Sequence, residues 1–346
     1  MTLFKRRPQK RTVFYITFIT LLVVWSALSL APRPDNHEGK NPFIREDEPP
    51  MLIAHGGGNH EFPDNTLEAF YNAYHADPEV MMETDVSLTK DEVLILSHDT
   101  TLDRKTNLTH APIEDVNYED LMDEEVDFGF ENTIDDDGFN TSGTLTEYRN
   151  YQNETVTPTD VPYPPGVEPR HDSVFLATTL EELIKTFPDT FINVEIKQSG
   201  KTGEEALEQA IKLLEDLDDE YDTFERVVLA SFHEPVYESI RTYHEEENSE
   251  LMFSPQEKSI RRFVMFEKTR LDLFYRDPVT VFQLPTNQQG ILFAKQSFLH
   301  TAHEHNIAVH FWTINDPDTM EKLIDIGADG IMTDRPHLLA EILNRP

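Results

Sequence analysis

The chain has 346 residues, no cysteine, and 29 lysines and arginines against 65 aspartates and glutamates. A formal charge of −36 excludes nucleic acid as a partner, because a phosphate backbone needs basic surface. Without thiols there are no disulfides and no thiolate metal sites, and any anionic substrate has to be met by a local cation or metal ion.

Lys5, Arg6, Arg7, Lys10 and Arg11 precede an uncharged run from Val13 to Ala31, 19 residues that suffice to cross a bilayer as a helix. The basic flank is expected to stay in the cytoplasm, so the rest of the chain is expected outside, as the extracellular domain of a single-pass membrane protein. A cleaved signal peptide, leaving a secreted chain, is the competing reading. Ser29 and Ala31 suit the small positions before a cleavage site, while Pro32 directly after it counts against cleavage. The expected organisation is a basic tail over residues 1–12, an anchor over 13–31, a polar, proline-rich tether over 32–50 and one large domain over 51–346.

Strand-like and helix-like segments then alternate. Candidate strands are Met51–His55, Val80–Val86, Phe191–Lys197, Arg226–Phe232, Glu250–Ser254, Thr280–Leu284, Ile307–Thr313 and Asp329–Thr333. Amphipathic helical patterns such as NTLEAFYNAYHA, TLEELIKTF, GEEALEQAIKLLEDL and DTMEKLIDIG lie between most of them. About eight such units predict an α/β fold of the (β/α)8 barrel type. The stretch 131–172, with DDDG, YPPG and EPRHD, breaks the alternation and reads as a long insertion.

Polar residues gather at the strand ends. In VMMETDVSLTKDEVLILSHD, Glu83 and Asp85 are two residues apart in a strand and so face the same way, about 7 Å apart, and His98 follows a hairpin's length later. His55 ends the first strand, Glu195 and Lys197 close the third, Ser231 is late in the fourth and Trp312 is late in the seventh. Each has an ordinary structural explanation alone, but barrel sites form at the C-terminal ends of strands, so together they predict one shared site.

The run IAHGGGNHEFPDNTLEAF, followed by ETDVSLTKDEVLILSHDTTLDRKTN, NVEIK, ASF, FWTIND and GADGIMTDRP, resembles the glycerophosphodiester phosphodiesterase family from Met51 to the C-terminus, outside the insertion. The resemblance implies a TIM barrel that hydrolyses glycerophosphodiesters to glycerol 3-phosphate and an alcohol with a divalent cation, Mg2+ or Ca2+. It implies His55 and His98 as general acid and base, Glu83, Asp85 and Glu195 as metal ligands, and Lys197 as the phosphate-binding lysine. A cation on hard carboxylate oxygens neutralises the anionic diester, and imidazoles suit proton transfer near neutrality. The first nucleophile is either the glycerol 2-hydroxyl, giving a cyclic phosphate, or water.

The chain departs from the family pattern at two places. Pro63-Asp64-Asn65-Thr66 stands for Pro-Glu-Asn-Thr, retaining a carboxylate with an expected supporting or helix-capping role. His55-Gly56-Gly57 stands for His-Arg-Gly, which removes a guanidinium able to grip phosphate and marks Gly56, with Ser231 and Trp312, as a position that shapes substrate binding. Arg104 and Arg335 lie in family-like motifs as further candidate cations. The alternatives are a lysophospholipase D or another phosphodiesterase of the same barrel, and a non-catalytic binder of phosphate ligands. Both histidines and all three carboxylates being present argues against the last.

Overall fold

The structure, a computed structural model, describes residues 10–344. Lys5, Arg6 and Arg7 of the expected basic tail lie outside the described residues. Eight parallel strands form the expected TIM barrel: β1 (Met51–His55), β2 (Met81–Leu88), β3 (Ile192–Ile196), β4 (Val227–Ala230), β5 (Met252–Phe253), β6 (Val281–Leu284), β7 (Ala308–Phe311) and β8 (Gly330–Thr333). They pair in the order β5-β4-β3-β2-β1-β8-β7-β6. The Thr280 amide donates to the Phe253 carbonyl (3.0 Å) across the β5–β6 seam, so the barrel is nearly closed. The fifth strand, expected over Glu250–Ser254, is only two residues long.

The strands read as near-continuous apolar runs because both faces are covered, and their alternation divides the core into two layers. Leu52, Ala54, Met82, Val194, Leu229, Phe282 and Val309 point outward into the layer shared with the surrounding helices. Met51, Ile53, Met81, Val228, Met252, Val281, Ala308 and Met332 fill the lower barrel interior. Continuing the same alternation upward carries His55, Glu83, Asp85, Asn193 and Glu195 to inward positions near the C-terminal end. Parallel register sets His55 beside Glu83 and Asp85 beside Glu195.

The segment expected as a tether covers the N-terminal end of the barrel. Phe43 is fully buried in the interior cluster, with its ring 4.9 Å from that of Phe191. Asn41 donates to the carbonyls of Thr280 (2.8 Å) and Asn306 (2.9 Å), and the Arg45 amide to Asp329 (2.8 Å). Ahead of it runs α1 (Lys10–Ser29), whose span Arg11–Ser29 has mean hydropathy 1.9 and contains no buried residue. It is long and apolar enough to cross a membrane, a test that a signal sequence also passes.

The hairpin suggested by the sequence is present, with Leu94–Leu96 antiparallel to β2. Between it and the helix Leu180–Thr186 the chain makes a long excursion with its own apolar cluster, including Phe62, Ile95, Leu102, Phe128 and Phe175. Residues 131–172 lie in this excursion and pack on the loop after β1. Tyr148 donates its hydroxyl to the Asn59 carbonyl (2.6 Å) and the Tyr151 amide donates to that of His60 (2.8 Å).

That loop is a glycine turn, with φ of +54° at Gly56, +83° at Gly57 and +106° at Gly58, the left-handed region where a side chain is strained. At Gly57 a Cβ would also come within 2.7 Å of the Ala69 Cβ and 3.0 Å of the Phe70 nitrogen. The turn therefore lies directly on the helix Leu67–Ala76. Gly57→Ala is expected to cost roughly 2–4 kcal/mol, backbone strain plus overlap. Gly166→Ala, at φ +88° with open space around it, should cost about 1 kcal/mol. Urea unfolding midpoints compare the two, and equal shifts would show that the close approach is unimportant.

Candidate active site

Glu83, Asp85 and Glu195 each offer a carboxylate oxygen within 4.8 Å of the others. Glu83 and Asp85 are buried. The Gly56 amide donates to Glu83 Oε2 (2.9 Å), so the turn orients this carboxylate through its backbone. Asn65 donates to Asp85 Oδ2 (3.1 Å), while its own carbonyl oxygen accepts from the Thr84 hydroxyl (2.7 Å) and the Asp85 amide (3.2 Å). Lys197 Nζ lies 3.0 Å from Asp85 Oδ1 and 3.1 Å from Glu195 Oε1.

Burial and the neighbouring Asp85 push the Glu83 carboxyl up to about 7, and burial raises Glu195 as well. Burial opposes a charge on Lys197, but Asp85 and Glu195 outweigh it and hold the ammonium protonated. The same balance acts on His55: burial lowers its pKa, but Glu83, Asp334 and Asp85 raise it to about 10.

Asp334, just past β8, holds His55 in place. Its Oδ1 lies 2.7 Å from His55 Nδ1, and its Oδ2 accepts from Asn315 Nδ2 (2.6 Å). A carboxylate on Nδ1 makes that nitrogen the donor and leaves Nε2 for the cleft. His98 is half-exposed on the far side of the β2 hairpin, with Nδ1 3.2 Å from Asp99 Oδ1. That hydrogen bond raises its pKa.

His55, Glu83, His98, Glu195, Lys197, Ser231 and Trp312 all line one cavity of about 380 Å3 at the C-terminal end of the barrel. The Ser231 hydroxyl donates to the Ile196 carbonyl (3.0 Å) and accepts from the His233 amide (3.2 Å), so much of its capacity is used by the protein. Trp312 meets Phe232 edge to face at 6.4 Å. Gly56 is not on the cavity wall. It has a backbone role, and an arginine there would combine positive φ with a Cβ 2.9 Å from that of Asp64.

The other candidate cations are engaged elsewhere. Arg104 pairs with Asp64 (3.2 Å), Asp99 and Glu131 (3.1 Å), and Arg335 lies over the Tyr151 ring, 4.5 Å from its centroid. Asp64 does not cap a helix. Thr66 does, accepting from the Ala69 amide, whereas Asp64 binds Arg104 and Lys105 (2.6 Å), which hold its carboxyl well below the usual range despite burial. Sequence reasoning missed Asn65, Asn315 and Asp334 as orienting groups. All three sit inside the quoted motifs PDNT, FWTIND and TDRP.

Comparison with known proteins bears on the fold and the family. A lysophospholipase D of Mus musculus is 24% identical over 314 residues, covering 84% of this chain and 85% of its own. A glycerophosphodiester phosphodiesterase of Caldanaerobacter subterraneus is 24% identical over 304 residues, covering 85% and 98%. Among solved structures, the glycerophosphoryl diester phosphodiesterase domain of an uncharacterized Mycobacterium tuberculosis protein superposes with a TM-score of 0.60 at 15% identity, covering 85% of this chain and 99% of that one. An Oleispira antarctica phosphodiesterase in complex with sn-glycerol-3-phosphate gives 0.52 at 17% identity, covering 86% and 98%. The profile of the glycerophosphoryl diester phosphodiesterase family matches residues 55–338, and the chain belongs to that family as a phosphodiesterase.

Proposed function

We propose that the chain hydrolyses glycerophosphodiesters to glycerol 3-phosphate and an alcohol, with a divalent cation held by Glu83, Asp85 and Glu195. The observation that carries this reading is the convergence of three carboxylates within 4.8 Å, two of which line a cavity together with two imidazoles. The donor set is all oxygen and suits a hard cation such as Mg2+ or Ca2+, whose charge would relieve the repulsion that raises Glu83. Such a cation neutralises the diester and stabilises the charge of the transition state.

Lys197 adds a second positive charge at the same place and is the cation suited to a phosphate oxygen. His55, with Nδ1 tied to Asp334, presents Nε2 to the cleft, and His98 lines the same cavity. One takes the proton of the attacking oxygen while the other protonates the leaving alkoxide. The sn-glycerol-3-phosphate bound by the Oleispira phosphodiesterase supports glycerol 3-phosphate as a product here. We take α1 as an uncleaved anchor that places the barrel outside the cell, with signal cleavage as the competing outcome.

The cavity favours a second reading of the glycerol side of the substrate. Its lining includes the apolar Phe232, Ile260, Leu284, Ile291, Phe293 and Trp312 beside Glu257, Arg261, Gln288 and Gln289, and Phe232 leaves 62% of its surface exposed. The acyl chain carried on the glycerol of a lysophospholipid, which a lysophospholipase D leaves on the phosphate when it releases the headgroup alcohol, would cover this apolar part of the wall.

Chelation is expected to abolish hydrolysis of glycerophosphocholine. Glu83→Gln and Asp85→Asn should weaken cation binding in calorimetry without unfolding the barrel, and full activity in chelator would refute the mechanism. His55→Ala and His98→Ala should each lower turnover on the order of 10²–10⁴-fold while the cation still binds. Asp334→Asn, which removes the charge that orients His55, should cost about 10²-fold or more in turnover with the Michaelis constant little changed. An effect confined to the Michaelis constant would give Asp334 a binding role instead. If the apolar wall receives an acyl chain on the glycerol, lysophosphatidylcholine should have a lower Michaelis constant than glycerophosphocholine, and Phe232→Ser should remove the difference. A preference for the small substrate would assign the wall to something else.

A further inference from the structure

Every contact between the N-terminal segment and the barrel lies at the end opposite the cleft. Asn41, Phe43 and Arg45 meet Thr280, Asn306, Phe191 and Asp329, residues that precede strands. The foot of α1 is fastened at the same end. Trp25 donates its indole N–H to the Thr269 carbonyl (3.0 Å), at the end of the helix Glu257–Thr269. Arg33 ion-pairs with the buried Asp272, and the same guanidinium donates to the carbonyls of Ser29 (3.2 Å) and Ala31 (2.6 Å). It thereby caps the C-terminus of α1 as a cation should while joining it to the barrel. Asp272 is held from behind by His305, whose Nε2 is 3.3 Å away.

The surface beside this foot differs from the rest of a strongly acidic protein. Met265 and Phe274 leave 56% and 50% of their surface exposed, and Lys268, Arg270 and Arg276 are exposed around them. Large apolar side chains ringed by cations match a membrane interface, where the apolar groups enter the headgroup boundary and the cations meet phosphates. The other side of the same end is acidic. The helix Gly200–Tyr221 finishes there with Asp216, Asp218, Asp219 and Glu220, followed by Asp222, and an anionic surface would repel it.

Taking α1 as an uncleaved anchor, we propose that the edge formed by residues 265–276 rests on the surface of the membrane that α1 crosses. The cleft then opens away from that membrane and takes its substrate from the aqueous side. Four strand steps from Met51 to His55, tilted by about 36°, separate the two ends by about 11 Å along the barrel axis before any loop is counted. A headgroup region extends only roughly 5–8 Å beyond the hydrocarbon, so a lipid lying in the anchoring bilayer cannot present its phosphate to His55 and Lys197. The substrate is a diester that leaves the bilayer, whether as a deacylated headgroup or as a monomeric lysolipid.

The absence of cysteine allows clean single labelling of the full chain in vesicles of phosphatidylcholine and phosphatidylglycerol. Fluorophores on Met265→Cys and Phe274→Cys should be quenched by brominated lipid and shielded from iodide. Fluorophores on Lys201→Cys, beside the cleft, and Asp219→Cys, on the acidic side, should behave in the opposite way. Iodide access at 265 and 274 equal to that at 201, lipid quenching at 201, or failure of the chain to remain with vesicles would each overturn the proposal. In the same vesicles glycerophosphocholine added to the solution should be hydrolysed, while lysophosphatidylcholine embedded in that bilayer should turn over far more slowly than its monomers. Equal rates would also overturn it. If neither substrate reacts even in detergent, the proposed activity fails, whereas the quenching still decides the orientation.

Discussion

Three carboxylates crowded into the mouth of a barrel repel one another by about 3 kcal/mol per pair at ordinary interior screening, and much of the surrounding structure serves to hold them there. Lys197 bridges two of them, the Gly56 amide binds the third, and Asn65 locks Asp85 through side chain and backbone together. The glycine turn follows from this need, because its amide reaches Glu83 only if the loop lies against the helix Leu67–Ala76. Asp64, a fourth carboxylate nearby, is neutralised by Arg104 and Lys105 and kept out of the cluster. Left unpaired there, such a group would add to the repulsion.

The two ends of the barrel are specialised in opposite ways. At the C-terminal end the inward positions are polar, and the cavity passes from charged to apolar across its width. At the N-terminal end the interior is plugged by Phe43, and the outer edge carries the pins that hold α1. With α1 as the anchor proposed above, such a barrel would separate substrate access from attachment, and a net charge of −36 would keep most of its surface off anionic lipid.

The barrel and the acids of its site were legible because a parallel strand alternates strictly. Apolar runs that end in His55, Glu83, Asp85 and Glu195 can meet only at the C-terminal mouth of one barrel. The orienting groups were not legible, since Asn65, Asn315 and Asp334 act through pairings across the chain that no local pattern announces. The segment 32–50 reads as a tether because it is polar and rich in proline, yet Phe43, with the polar contacts of Arg33, Asn41 and Arg45, packs it against the barrel. Gly56 drew attention as a missing arginine, but its positive φ, the Asp64 Cβ beside it and its amide bond to Glu83 explain it through the backbone. Arg104 and Arg335 looked like phosphate ligands by motif, and only the fold shows them occupied by carboxylates and by a tyrosine ring.

The central claim is that the acidic cluster is a divalent cation site at which a diester is hydrolysed. Anomalous diffraction from crystals soaked in Mn2+ tests it most directly. The account predicts one strong peak bounded by Glu83, Asp85 and Glu195, with an oxygen of each at about 2.0–2.6 Å and the Lys197 ammonium displaced toward the cleft. At saturating Mn2+, a cluster still bridged by Lys197 and without a peak would contradict it.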